Sequence, residues 1–382
     1  MVPERLLRQL ENRAQKGILR QLQTPAPGLV DFCSNDYLGL ASSPRLTQLV
    51  EAELAGNHLH GATGSRLLSG NSVYAQELEA ALAHFHHAEA ALLFNSGYAA
   101  NVGFFSSVPQ RGDTILYDEA SHASMKDGIR LSFAQSFAFR HNDLEDLQTK
   151  LKRAQGDVYV AVESLYSMDG DVAPLQELAE LCQEKGLYLV VDEAHSNGIY
   201  GPKGEGLVVE LGLKEQVFAR IMTFGKALGS HGAAVVGPKA LQEFLLNFSR
   251  AFIYTTALPL ASLATIKAAY HLLPSLHQER AHLQELAKAY HTFTQEAAVF
   301  SLFSGKQTKN GPIQTWHLPG VKALKQLSFT LQEAGFDARP ILSPTVPAGT
   351  ERLRLVLHAF NTQEQLQQLC SLLLQHSPSV IL

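Results

Sequence analysis

Hydrophobic positions along the chain change period several times, and each change predicts an element. Residues 4 to 22 set leucines and Ile18 at helical spacing among Arg, Gln and Glu, predicting an amphipathic helix stopped by Pro25, Pro27 and Gly28. Between residues 72 and 240, helical stretches alternate with short apolar runs. The runs are AALLF (90–94), TILY (114–117), VYVAV (158–162), LYLVVD (187–192), RIMTF (220–224) and AAVVG (233–237). Continuous apolar runs of this length, separated by helical segments, predict strands buried on both faces of a mostly parallel sheet. From Ala257 to about Ala298 the pattern is helical, broken near Pro274. QTWHL, a helical stretch over Val321–Ala334, the turn-rich SPTVPAGT, RLRLVLH and a final helix from near Gln363 follow, which suits a small α+β domain. The chain therefore reads as α/β, with an N-terminal helix and arm over 1–45, a large domain over 46–260 and a small C-terminal domain over 261–382.

Composition narrows the function. The 382 residues are 46% hydrophobic and 18% charged, enough for a large core and a second domain. A net charge of -5 offers no general attraction to nucleic acid or to an anionic membrane. Cys33, Cys182 and Cys370 lie far apart, without the spacing of a metal site or redox pair, so no metal and a reduced, cytoplasmic protein are expected. The charged N-terminus lacks a signal peptide's apolar core, and no apolar run reaches membrane-spanning length.

In an open parallel sheet ligands collect at the carboxyl ends of the strands. The residues there form a coherent set: Asn95-Ser96-Gly97-Tyr98, Asp118 to His122, Glu163 to Gly170, Asp192 to His195, and Thr223 to Gly229. Singly, each has a plain explanation: Asp192 as a helix cap or metal ligand, His195 as a core histidine, Lys226 as a solvent-facing loop residue. Together they suggest a pyridoxal-5'-phosphate (PLP) site. Lys226, among Phe224, Gly225, Ala227 and Gly229, occupies a tight, poorly charged turn suited to an imine-forming amine. Asp192 suits a pyridinium partner, which PLP needs to act as an electron sink. His122 is a candidate to stack on the ring and His195 to meet its oxygen. The Gly97 and Tyr98 amides with the Thr223 hydroxyl suit a phosphate, as do Thr255 and Thr256, reaching in from a second subunit. The glycines of Gly61 to Gly70 shape an entrance on this reading.

Eight segments resemble the α-oxoamine synthases, PLP enzymes of fold type I: SNDYLGLASSPRL, GSRLLSGN, LLFNSGYAAN, DEASHAS, ESLYSMDGDVAPL, VVDEAHSNGIYGPKGEG, TFGKALGSHGA and PTVPAGTERLRL. They run in order from residue 34 to 355. The resemblance implies a PLP-dependent transferase, homodimeric with a shared active site, whose large domain carries a mostly parallel sheet. By position it assigns Lys226 to the cofactor bond and to proton transfer at the substrate Cα, Asp192 to the ring nitrogen and His122 to the ring face. Glu163, Ser167, His195 and Thr223 fall among the cofactor contacts. Arg354 matches the residue that grips the amino-acid carboxylate, with Arg20, Asn35 and Thr345 on the substrate side. The strand period puts Arg352 on the same face as Arg354. Some members carry an arginine shortly before PTVP, where this chain has Ile341-Leu342-Ser343 and Arg339 further upstream.

The implied reaction is decarboxylative condensation of an amino acid with an acyl-CoA or acyl-carrier-protein thioester. Within the family the resemblance points to L-alanine and a pimeloyl thioester, in biotin synthesis. Glycine- or serine-using members are the alternative, and a non-catalytic subunit on the same fold is the reading from another class. The presence of Lys226, Asp192 and His122 weighs against the latter. A nucleotide-binding dehydrogenase lacks its G-x-G-x-x-G turn.

Overall fold

A computed structural model describes residues 2–22, 24, 26–57, 59–294 and 311–376. Its strands in chain order are β1 (Val30–Asp31), β2 (Ala90–Phe94), β3 (Thr114–Asp118), β4 (Gln135–Phe139), β5 (Val158–Glu163) and β6 (Tyr188–Asp192). They continue as β7 (Ala219–Thr223), β8 (Ala233–Gly237), β9 (Ile313–His317), β10 (Phe336–Asp337), β11 (Arg339–Ile341) and β12 (Arg352–Val356). By contacts the chain divides into two compact units.

The larger unit comprises Asn35–Ser167 and Val172–Arg280. Its seven-stranded sheet has the order β2-β8-β7-β6-β5-β3-β4. All pairings are parallel except those of β8, which is antiparallel to both β2 and β7. Six strands thus end on one edge, and β7 returns into β8 through a nine-residue loop that carries Lys226. Every apolar run read as a strand forms one. Strand β4 has no such run: it is the sheet's edge, and its first two residues, Gln135 and Ser136, are exposed. An edge strand covered on one side needs no continuous apolar sequence, which is why QSFAF does not announce itself.

The main core lies where Leu92, Phe94, Ile115, Val190, Ile221 and Val235 of the sheet meet Phe104, Phe105, Met125 and Ile129 from helices Gly97–Phe105 and Ala123–Leu131. Each such side chain contributes about 1.5–3 kcal/mol through burial.

The smaller unit comprises Met1–Ser34, Met168–Asp171 and Ala281–Leu382. An antiparallel sheet of order β11-β12-β9 is joined by the short parallel pair of β1 and β10. Helices Val321–Glu333 and Gln363–Gln375 match the expected stretches, the latter opened by a capping box of Thr362 and Gln365. The N-terminal helix is shorter than its leucine pattern predicts, running Glu4–Gln15. It ends because Gly17, at φ 67°, lets the Ile18 N–H turn back to the Arg13 carbonyl at 2.9 Å. Of the expected stops, Pro27 and Gly28 lie well beyond this end, and Pro25 lies outside the described residues. The helical region after Ala257 forms Leu260–Leu272 and His277–Thr294 with a 3-10 turn at Leu273–Ser275, so the break near Pro274 stands. Residues 295–298 of that prediction lie outside the described residues. Among the described residues, no helix is long and apolar enough to cross a membrane.

Candidate active site

The carboxyl edge of the large sheet brings the candidate side chains together. Glu163 and Asp192 close β5 and β6 as direct register partners, and both are buried. Asp192 is held by two donors: Asn101 Nδ2 at 2.7 Å and the Ala194 N–H at 2.9 Å. Asn101 sits one turn into the helix Gly97–Phe105 and also reaches Ser124 Oγ at 3.1 Å. A buried carboxylate with charge-assisted donors keeps one orientation.

His122 caps the helix Ala123–Leu131, with Nδ1 2.7 Å from Ser124 Oγ and its N–H donating to Glu163 Oε1 at 2.6 Å. Burial holds the His122 imidazole below its ordinary value despite the opposing charge of Asp192, so the ring is neutral at neutral pH. Burial, and then the Asp192 charge, push the Glu163 carboxyl up to about 8. The Glu163 carboxyl therefore keeps its proton near neutrality.

Lys226 is half-buried in the loop between β7 and β8, which is closed by the Phe224 N–H to Gly232 carbonyl bond at 3.0 Å. Gly229 in this loop packs so tightly that a Cβ there would lie 2.3 Å from the Ala41 nitrogen. Lys226 Nζ meets His195 Nε2 at 2.8 Å, and His195 Nδ1 meets the Tyr37 hydroxyl at 2.6 Å. The same hydroxyl lies 3.2 Å from Asn35 Oδ1.

At the end of β2, Ser96 caps the helix Gly97–Phe105 by accepting the Ala99 N–H, which leaves the first-turn N–H groups of Gly97 and Tyr98 directed out of the helix end. Thr223 adjoins them: a Cβ on Gly97 would lie 3.5 Å from its Oγ1. The Tyr98 side chain points elsewhere, its hydroxyl donating to Asp127 at 2.6 Å. Thr255 and Thr256 lie beside the same turn through Asn95, whose Nδ2 reaches Thr255 Oγ1 at 3.1 Å and the Thr256 carbonyl at 2.7 Å. Ser167 is half-buried at the unit's boundary.

Residues Gly64 to Gly70 form a closed knot, with the Gly70 N–H bonded to Ser65 and the Ala257 N–H to Gly64. Arg66 in this knot grips Glu79 with two bonds of 2.9 Å.

In the smaller unit Arg20 donates to Thr345 Oγ1 at 2.9 Å, so two residues distant in sequence meet. Arg354 is buried in the middle of β12, opposite Arg339 on one side and Thr315 on the other. Arg339 is engaged bidentately by Asp337 at 2.9 and 3.0 Å. Arg352 is buried as well, ion-paired with Asp169 and bonded to the Thr350 carbonyl.

Residues 27–373 match the family model for aminotransferase class I and II. The chain belongs to the aminotransferase class I and II family. It is 42% identical to an 8-amino-7-oxononanoate synthase of Emericella nidulans over 94% of this chain and 92% of that protein. Among solved structures, a serine palmitoyltransferase from S. paucimobilis with bound PLP–myriocin aldimine superposes with a TM-score of 0.87 at 28% identity, covering 98% and 96% of the two chains. An 8-amino-7-oxononanoate synthase from Francisella tularensis gives 0.78 at 28% identity, covering 92% and 98%. The fold is thus that of the fold-type I PLP transferases, as the motifs implied.

The residues present in this family member fit such a cofactor. A held carboxylate, a neutral imidazole, a primary amine and a helix N-terminus with an adjoining hydroxyl match a pyridine nitrogen, a ring face, an aldehyde and a phosphate, and all lie on one sheet edge. Reading from the sequence omits Tyr37, Asn101 and Ser124. Asn101 does carry a signal, being a lone amide in the apolar helix GYAANVGFF; Tyr37 and Ser124 read only as parts of longer motifs.

Proposed function

We propose that this chain is a PLP-dependent acyltransferase that condenses L-alanine with a pimeloyl thioester, releasing carbon dioxide and the free thiol, as an 8-amino-7-oxononanoate synthase of biotin synthesis. The observation that carries this reading is the convergence of Lys226, Asp192, His122 and the Gly97 helix N-terminus on one edge of the sheet, in a chain 42% identical to a relative of that name.

When bound, PLP supplies an electron sink for charge that develops at the amino-acid Cα. Everything else falls to the chain. Lys226 Nζ attaches the cofactor and, once displaced, takes and returns the Cα proton. Asp192, fixed by Asn101 and the Ala194 N–H, keeps a proton on the pyridine nitrogen. His122 offers an uncharged ring face, and Glu163 and Ser167 line the ring's surroundings. The Gly97 and Tyr98 amides and the Thr223 hydroxyl hold the phosphate, joined by Thr255 and Thr256 of a second copy in a homodimer. Arg354 suits the alanine carboxylate because its planar fork meets two oxygens at once. Arg20, Asn35 and Thr345 serve the substrate side. The reaction belongs to the cytoplasm, with the thioester on CoA or on a carrier protein.

The serine palmitoyltransferase likeness, with a TM-score of 0.87, favours a second reading in which serine replaces alanine. Purified protein supplied with PLP, with Ala, Gly or Ser, and with pimeloyl-CoA, pimeloyl-carrier protein or palmitoyl-CoA separates the two. Thiol release with alanine and a pimeloyl donor is expected. Turnover confined to serine, or to palmitoyl-CoA, would overturn the alanine and pimeloyl assignment.

A further inference from the structure

Strand β2 is an outer strand of the seven-stranded sheet, with β8 on one side of it and no strand on the other. Side chains answer two of its backbone groups: Gln242 Nε2 donates to the Ala91 carbonyl at 2.6 Å, and the Leu93 N–H donates to Glu79 Oε1 at 2.9 Å. Covering an edge needs only a polar atom, and an amide oxygen would answer the Leu93 N–H as a carboxylate does. The charge on Glu79 answers Arg66. Glu79 is buried, and its two oxygens accept from Arg66 Nη1 and Nη2 at 2.9 Å each. Arg66 Nε donates to Asn71 Oδ1 at 2.8 Å, and its guanidinium lies 5.9 Å from the Phe252 ring centroid. Fork, amide and ring together leave the guanidinium one orientation. Guanidinium and backbone N–H groups only donate and an ionised carboxylate only accepts, so every direction is fixed.

Two paths run from this pair to Thr255 and Thr256. Arg66 holds residues 64–70, where Gly64 accepts the Ala257 N–H at 2.9 Å and a Cβ on Gly70 would lie 2.8 Å from the Ala257 Cβ. Leu93 ties Glu79 to the end of β2, and Asn95, two residues on, donates to Thr255 Oγ1 at 3.1 Å and to the Thr256 carbonyl at 2.7 Å. The threonines are thus held from two sides by segments that meet at one carboxylate, and Thr256 is exposed. We propose that Glu79 is a positioning residue: by joining Arg66 to the edge of β2, it sets Thr255 and Thr256 where they meet the cofactor phosphate of a second copy. Hydrogen bonds weaken steeply once distance and angle depart from the optimum, so a loosened segment loses the phosphate without losing the fold. The inference rests on the shared-site reading proposed above and deepens it.

The test compares two ligands that differ only in the phosphate. The full-length protein is titrated with PLP and with pyridoxal, each followed by visible absorbance. Glu79→Gln keeps an acceptor for the Leu93 N–H and removes the charge that Arg66 meets. Its Kd for PLP should rise by about ten- to a hundredfold, the scale of one hydrogen bond to a charged group. Its Kd for pyridoxal, which has no phosphate to lose, should stay near that of the parent. In a Thr255→Ala, Thr256→Ala background the same substitution should cost no further PLP affinity. Equal losses for the two ligands would overturn the proposal, since Glu79 would then support the site at large. So would unchanged PLP affinity in Glu79→Gln, or a full further loss in the background without the two hydroxyls. A Thr255→Ala, Thr256→Ala protein that holds PLP as tightly as the parent would overturn the shared-site reading, and the proposal with it. Should Glu79→Gln not fold, Arg66→Lys takes its place: it keeps the charge but cannot meet both carboxylate oxygens and Asn71 together, and the same selective loss is expected. Should neither fold, hydrogen exchange in the parent decides. The Ala257 N–H should exchange as slowly as the Leu93 N–H, and exchange faster by orders of magnitude at Ala257 would refute the clamp.

Discussion

Replacing Glu163 with Gln should change how the stability of the cofactor-free protein depends on pH. Burial, then Asp192 beside it, lifts this carboxyl from its ordinary 4.5 to about 8. Over that window the folded chain keeps a proton that the unfolded chain has released, so the native state binds more protons and stability falls as pH rises. At 1.36 kcal/mol per pH unit, the loss across the whole window is at most about 5 kcal/mol, with about 3 kcal/mol of it reached by pH 7. Gln cannot ionise, yet its amide oxygen can still accept the His122 N–H that Glu163 Oε1 accepts at 2.6 Å. Relative to the parent chain, Glu163→Gln should therefore gain stability steadily from pH 5 to pH 8, by a few kcal/mol in total. Urea unfolding of both proteins at pH 5, 6, 7 and 8, followed by circular dichroism, measures the difference. A flat difference would refute the raised carboxyl. A gain that shrank with rising pH would mean that Glu163 is ionised and stabilising in the folded state.

Other outcomes follow from the same geometry. Lys226→Ala should abolish turnover and the visible absorbance of bound PLP while leaving the melting temperature near that of the parent, since the residue sits in a loop; retained activity would remove it from the chemistry. Asp192→Asn should bind PLP but slow exchange of the alanine α-proton into deuterated water by orders of magnitude, and parent-like exchange would contradict the pyridinium role. Arg354→Ala should weaken alanine binding by about 2–5 kcal/mol in absorbance titrations, as expected for loss of a buried charge-assisted contact. Arg352→Ala should instead destabilise the fold by about 1–3 kcal/mol in urea, because it strands Asp169, whose side chain is 38% exposed; a larger effect of Arg352 on alanine binding would reverse the assignment. Mixing Lys226→Ala subunits with Thr255→Ala, Thr256→Ala subunits should partly restore activity through one intact hybrid site, and verified heterodimers without activity would argue against a shared site.

The chain's order of apolar runs determined the central sheet, because a strand covered on both faces must be apolar throughout, and AALLF, VYVAV and RIMTF permit little else. The polar residues that follow those runs determined the edge on which Asp192, Glu163, Thr223 and Lys226 gather, since strands running the same way end together. Other features needed the tertiary structure. Strand β4 is half polar because an edge needs cover on one side only, and the antiparallel return of β8 depends on which strands become neighbours rather than on local propensity. The joining of Met1–Ser34 with Ala281–Leu382 in one unit is a long-range contact with no local signature. The burial of Arg352 against Asp169 is equally invisible to a two-residue period, which assigns a face but says nothing of what covers it. Above all, Tyr37 and His195 are separated by 158 positions, and only the folded chain closes that gap to 2.6 Å. Local sequence dictates the period of burial; partners across the sheet decide which buried polar group answers which.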